Sequence, residues 1–179
     1  MLTKRTRPRF VLWHGVIGGI VAAMTFMVFQ MTAAAAHEGS AFIPPRVLAS
    51  LIFGEQALTA TVPLLTALAV GMVVHVVLSI LFGLAFVGLL TVFRQLCSSW
   101  RMMLVYGSLF GFALWIVNFR IIGSILFPQL LTVDQFWMGF LPHAAIIGLG
   151  LAVYVSLVRY APRGVFNPSY RVCYVGTSV

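Results

Sequence analysis

Acidic side chains are nearly absent from this sequence: Glu38, Glu55 and Asp134 are the full set, against eleven Lys and Arg in 179 residues. Carboxylate-pair catalysis therefore has little material to work with. Charged residues of both signs make up only 8% of the chain, whereas a soluble domain carries roughly 25% to present groups that water solvates. Cysteine is scarce as well. Cys97 and Cys173 are two lone thiols without the spacing of a zinc site or a disulfide framework, and both read as small semi-polar residues on the cytoplasmic side. No Gly-rich phosphate loop, HExxH run or nucleophile–base pairing occurs. These absences argue against an enzyme.

What fills the space is apolar. Hydrophobic residues are 61% of the chain, and four long runs of them, over about 10–31, 63–93, 102–126 and 137–158, are each long enough to cross roughly 30 Å of hydrocarbon. The expected fold is all-α: a polytopic membrane protein with four transmembrane helices, one domain over 1–179, an outer loop at 32–62 and a tail at 159–179. The first run follows Lys4, Arg5, Arg7 and Arg9 and precedes Ala33–Ala36, like a signal peptide. Its apolar stretch of about 22 residues exceeds the 7 to 15 of a signal core, so it reads as a retained anchor. In the outer loop, Pro44-Pro45 opens a short helix, continued by Val47, Leu48, Leu51 and Ile52 and stopped at Gly54. It is too short to cross a bilayer and is expected to lie in the interface or fold over the bundle mouth.

The formal charge of +8 is distributed by side. Lys4 to Arg9 precede the first run, Arg94 and Arg101 bracket the second connection, and Arg159, Arg163 and Arg171 follow the fourth run. All three acids lie on the opposite side. That is the positive-inside pattern, which predicts cytoplasmic N- and C-termini, as in a bacterial inner membrane. The basic tail suits anionic lipid headgroups, and no basic face with interleaved stacking aromatics points to nucleic acid.

Small residues recur at four-residue spacing: Gly15, Gly19 and Ala23 on the first run; Ser79 and Gly83 on the second; Gly107 and Gly111 on the third; Ala144, Gly148 and Ala152 on the fourth. Such grooves let helix backbones approach closely, within one bundle or across a homodimer. His14-Gly15 and Tyr106-Gly107 sit at the same stage of the first and third runs. His75 precedes Gly83-Leu84-Ala85 as His143 precedes Gly150-Leu151-Ala152. The likeness suggests two hairpins forming a parallel repeat.

Counting at 1.5 Å per residue from the flanking arginines puts Gln30, His75, Asn118, Arg120 and His143 in one layer, about 24–31 Å from the cytoplasmic side. Polar groups in a span face the bundle interior or a cavity, because facing lipid costs several kcal/mol. The layer reads as a site for an anion, an ion or a proton, or as residues bonded to neighbouring helices. His75 and His143 are also candidate haem or metal ligands, although no cofactor is the leading expectation. Asn118 and Arg120 point about 200° apart on an ideal helix, so both cannot face one cavity there. Nearer the cytoplasmic end, His14 beside Trp13 reads as an interfacial anchor pair. His37-Glu38 reads as a solvated polar pair.

The glycine-rich first run, Pro44-Pro45-Arg46 followed by Ala49-Ser50 and Gly54, and a histidine opening the second helix resemble short bacterial four-helix inner-membrane proteins of unknown function. The resemblance covers most of the length and implies no activity. Three roles fit these residues: a non-enzymatic accessory or assembly subunit packing against another membrane protein or itself, a small oligomeric channel or transporter using the polar layer, and a haem- or metal-carrying membrane subunit. The topology is directly testable. In intact cells Cys173 is expected to resist a membrane-impermeant maleimide and to react after permeabilisation; labelling from outside would invert the map.

Overall fold

A computed structural model describes residues 8–97, 99–131 and 135–160, and every element among them is helical. Lys4, Arg5, Arg7, Thr132, Asp134, Arg163, Arg171 and Cys173 lie outside the described residues. Three stretches, Val11–His37, Leu64–Val92 and Trp100–Leu126, are long and apolar enough to cross a membrane, while Pro142–Val158 is a shorter apolar helix.

Helix α1 spans Pro8–His37 and overruns its expected end. The residues taken as the start of the outer loop, 32–37, are helical. Alanine has the highest helix propensity, and Ala33 and Ala34 are buried in a cluster with Val47, Phe119 and Leu130. Tertiary packing extends what propensity begins. Helix α2 spans Ile43–Phe53 with proline in its first turn, as expected, and stops at Gly54, whose φ of 65° suits a residue without a Cβ. A 3₁₀ turn follows at Gly54–Leu58, so much of the expected loop 32–62 is helical.

Helix α3, Leu64–Val92, begins directly after Pro63. Helix α4, Trp100–Trp115, is capped by Ser99, whose hydroxyl accepts from the Met102 N–H at 3.2 Å. The same helix then widens to i→i+5 register over Ile116–Gly123 and closes with one further turn, α5, Ser124–Leu126. After a 3₁₀ turn at Pro128–Leu131, the last helical stretch is wide over Gln135–Phe140 and Pro142–Gly148 and continues as α6, Leu149–Tyr160. Pro142 supplies no N–H and its ring crowds the preceding turn, a known cause of such departures from α register.

Two tight helix pairs build the bundle. In the first, α1 lies on α3 with Gly15 and Gly19 against Gly83. A Cβ on Gly15 would fall 2.8 Å from Leu84 Cα, and one on Gly19 would fall 2.6 Å from Ile80 Cα. In the second, α4 lies on the Pro142–Gly148 segment and α6. Gly107 and Gly111 there meet the backbone of Gly148, His143 and Ala144 so closely that no side chain fits. The predicted grooves are thus filled inside the chain, and the homodimer reading loses these faces. Around the two pairs sits a core of Phe26, Phe86, Leu90, Met103, Ile147, Leu151 and Val155. The outer sides carry exposed Leu65, Val73, Leu81, Leu109, Ile125 and Leu157. So much outward apolar surface suits lipid better than water.

His14 departs from its expected place. It is buried and hydrogen-bonded to Tyr154 across 3.0 Å, while neighbouring Trp13 is exposed. A buried polar ring needs a partner, and α6 provides one.

These contacts predict a sharp contrast. Gly83→Leu and Gly111→Leu each place a side chain against backbone and should unfold the bundle or lower its thermal midpoint in detergent by several degrees, since overpacking costs about 1–3 kcal/mol or more. Gly88→Ala and Gly150→Ala point into open space and should leave the midpoint unchanged or higher, as alanine is the better helix former.

Candidate ligand cavity

A cavity of about 320 Å³ lies between the helices, at the end of the bundle where α1 stops and α3 starts. Its walls are mostly apolar. Five polar side chains break them, Gln30, His75, Ser79, Asn118 and His143, so four of the five residues expected in a polar layer meet here.

The fifth does not. Arg120 is exposed, with its guanidinium carbon 5.7 Å from the centre of the Trp115 ring. Opposition of Asn118 and Arg120 was expected on an α-helix and persists in the wider register. With about 4.4 residues per turn the two still point to nearly opposite sides, and lining the cavity with Asn118 leaves Arg120 outside. A cation over an aromatic face is the arrangement that remains available to it.

His75, on α3, donates through Nε2 to the carbonyl of Ala23 on α1 at 2.9 Å. His143 donates through Nδ1 to the Gly139 carbonyl one turn earlier at 2.6 Å. A carbonyl can only accept, so each bonded nitrogen carries a proton; burial of both rings favours the neutral form, in which the other nitrogen, Nδ1 of His75 and Nε2 of His143, is an acceptor. Phe26 touches both rings, stacked on His75 at 5.3 Å and edge-on to His143 at 4.9 Å. Phe119 meets His143 edge-on from another side at 5.4 Å.

The structure adds nothing in favour of a metal held by the two histidines. Phe26 packs on both rings, and no group of three His, Cys, Asp or Glu among the described residues could hold a metal ion. His37 stacks on Trp137 with ring centres 4.7 Å apart.

Sequence reasoning missed the apolar walls. Phe26 and Phe119 look like ordinary apolar span residues. Helix α2 contributes Pro44, Val47, Leu48 and Leu51, so it packs over the cavity, the second of its two expected placements. Pro45 presses on α3 where Gly71 has no side chain. Arg46 pins α2 in place: its Nη1 donates to the carbonyls of Ala57 at 2.7 Å, Thr59 at 2.8 Å and Val62 at 3.3 Å. Gln129 adds a bond from Nε2 to the Ser50 carbonyl at 3.3 Å. The signal for α2 was present in the Pro44-Pro45 start and its apolar spacing, but which face it covered was not.

The cavity has a regularity of position. Positions 92 apart correspond on α1 and the α4 strand of helix, and positions 68 apart on α3 and the last helix. With those offsets the contacts Gly15–Leu84 and Gly19–Ile80 match Gly107–Ala152 and Gly111–Gly148. The pair His14–Tyr154 matches Tyr106–Phe86, stacked at 4.9 Å. Four pairs of counterparts line the cavity: Phe26 and Asn118, Gln30 and Ile122, His75 and His143, Ser79 and Ile147. The expected match of Gly83 with Gly150 is out of this register by one residue, since Gly83 is packed against α1 and Gly150 faces open space.

Fold and cavity together define a class, an all-helical protein with three membrane-length helices and a mostly apolar internal cavity that polar groups enter. Comparison with protein-family models, curated proteins and solved structures finds no match.

The Arg46 clasp is testable on its own. Hydrogen bonds from a charged donor contribute about 1.5–3 kcal/mol. Arg46→Ala should therefore speed amide exchange in 43–62 by roughly ten- to a hundredfold relative to α3, measured by hydrogen–deuterium exchange.

Proposed function

We propose that the protein is a four-span membrane protein that holds a small molecule reversibly between two repeated helical hairpins, without catalysis. The cavity shared by Gln30, His75, Ser79, Asn118 and His143 carries this reading. Its volume is at the lower end of the ~300–1,000 Å³ usual for ligand sites, and a mostly apolar wall with a few placed polar groups is their common make-up. Four counterpart pairs on the wall support a parallel repeat with the cavity between its halves, a common location for binding sites in repeat-built membrane proteins. The arginine pattern supports cytoplasmic termini in a bacterial inner membrane, the fourth span at Pro142–Val158, and an outer position for α2 and the cavity beneath it.

An accessory subunit docked on a larger complex is the second reading. The groove argument for it has weakened, because the glycine faces are occupied within the chain. The outward apolar sides remain its support, and lipid suffices for those.

The test is native mass spectrometry of the protein released from lipid nanodiscs. Retention of a small organic adduct is expected, and its loss in the cavity-filling variants Ser79→Phe and Ile147→Trp, with helix content by circular dichroism unchanged. A stoichiometric protein partner and no adduct would favour the accessory subunit instead.

A further inference from the structure

The hydrogen bonds of the two histidines restrict what the cavity accepts. Each donates its N–H to a carbonyl, and among the described residues neither ring makes a second hydrogen bond. What each ring adds to the cavity wall is therefore an acceptor nitrogen. Acceptors at two counterpart positions call for a donor. Charge narrows the class further. Among the described residues no acidic side chain lines the cavity, and a cation buried among Phe26, Phe119 and aliphatic groups without a carboxylate would keep most of its desolvation penalty. An anion fares worse, since neutral imidazoles turn lone pairs towards it. A hydroxyl group fits best, because its O–H can donate to an imidazole nitrogen while its oxygen accepts from the Asn118 amide. At about 30 Å³ for each water-sized group, the volume takes roughly ten such groups.

Resting on the binding reading above, we infer that the cavity selects a neutral, compact, apolar alcohol or phenol, whose O–H donates to one of the two acceptor nitrogens, Nδ1 of His75 or Nε2 of His143. Lipid-soluble molecules of that kind reach a membrane-embedded site from the bilayer, which concentrates them.

Three probes of one shape separate the possibilities: 2-naphthol, 2-methoxynaphthalene and 2-naphthoate, titrated into wild type and Ile147→Trp in nanodiscs, with empty nanodiscs for partition into lipid. Ile122→Trp replaces Ile147→Trp if the latter does not fold. Saturable 2-naphthol binding about five- to tenfold tighter than the methyl ether is expected, the ratio for one hydrogen bond. That preference should vanish when both acceptors are removed together, in the double variant of His75→Phe and His143→Phe, and saturation should vanish in the tryptophan variant. Equal affinity for naphthol and its ether overturns the assignment of ligand class and leaves the cavity as a binding site. Tightest binding of 2-naphthoate overturns it too. If no probe saturates beyond the lipid control, the binding reading and the inference both fail. Independently of any ligand, ¹⁵N spectra of the histidines should report the Nε2–H tautomer for His75 and the Nδ1–H tautomer for His143; the reverse at either ring removes the acceptor argument.

Discussion

Backbone-to-backbone contact through glycine is the constraint on which the rest of this molecule depends. In lipid, helices gain nothing from burying apolar side chains against one another, so association relies on close packing and on polar contacts between helices. Gly15, Gly19 and Gly83 bring α1 onto α3, and Gly107, Gly111 and Gly148 bring α4 onto the last helix, at separations that admit no Cβ. These contacts lock two hairpins. They also set the spacing at which His75 reaches the Ala23 carbonyl on the neighbouring helix, a bond that a wider pair would not make.

Where the helices are not so tightly joined, the cavity opens. Two of the three wide-register segments, Ile116–Gly123 and Pro142–Gly148, contribute to its wall, through Asn118, Phe119 and Ile122 on one and His143 and Ile147 on the other. A π segment shifts the side chains that follow it around the helix axis, which is one reason such segments occur at functional sites. The two halves differ here as well. Helix α3 carries His75 in regular α register and its ring bonds another helix, whereas His143 stands on widened helix and bonds its own preceding turn. Corresponding positions thereby reach the same chemical result by different routes, a neutral ring with an acceptor nitrogen remaining.

Much of the candidate site was legible as depth. Counting residues from the arginines put Gln30, His75, Asn118 and His143 at one level, because rise along a helix is constant and independent of its neighbours. Direction around the axis is another matter. Arg120 shares that level yet packs on Trp115, and the geometry of its own helix excludes it from the face that Asn118 occupies. His14 was read from its closeness to Trp13 and the span end, but the partner that draws it inside, Tyr154, is 140 residues away. The early end assigned to α1 failed for a similar reason, since burial of Ala33 and Ala34 against α2 and Phe119 decides that end.

The sequence by itself determined that these helices are long and apolar, where small residues line their faces, where proline and Gly54 start and stop α2, and at what height polar groups stand. Each follows from local propensity, composition or a fixed rise per residue. Tertiary structure alone decided that the glycine faces are satisfied within the chain, that α2 closes over the cavity under the Arg46 clasp, and which nitrogen of each histidine is committed. Those outcomes hinge on which surfaces meet at ångström range, and a carbonyl on a neighbouring helix leaves no mark in the local sequence of the ring that bonds it.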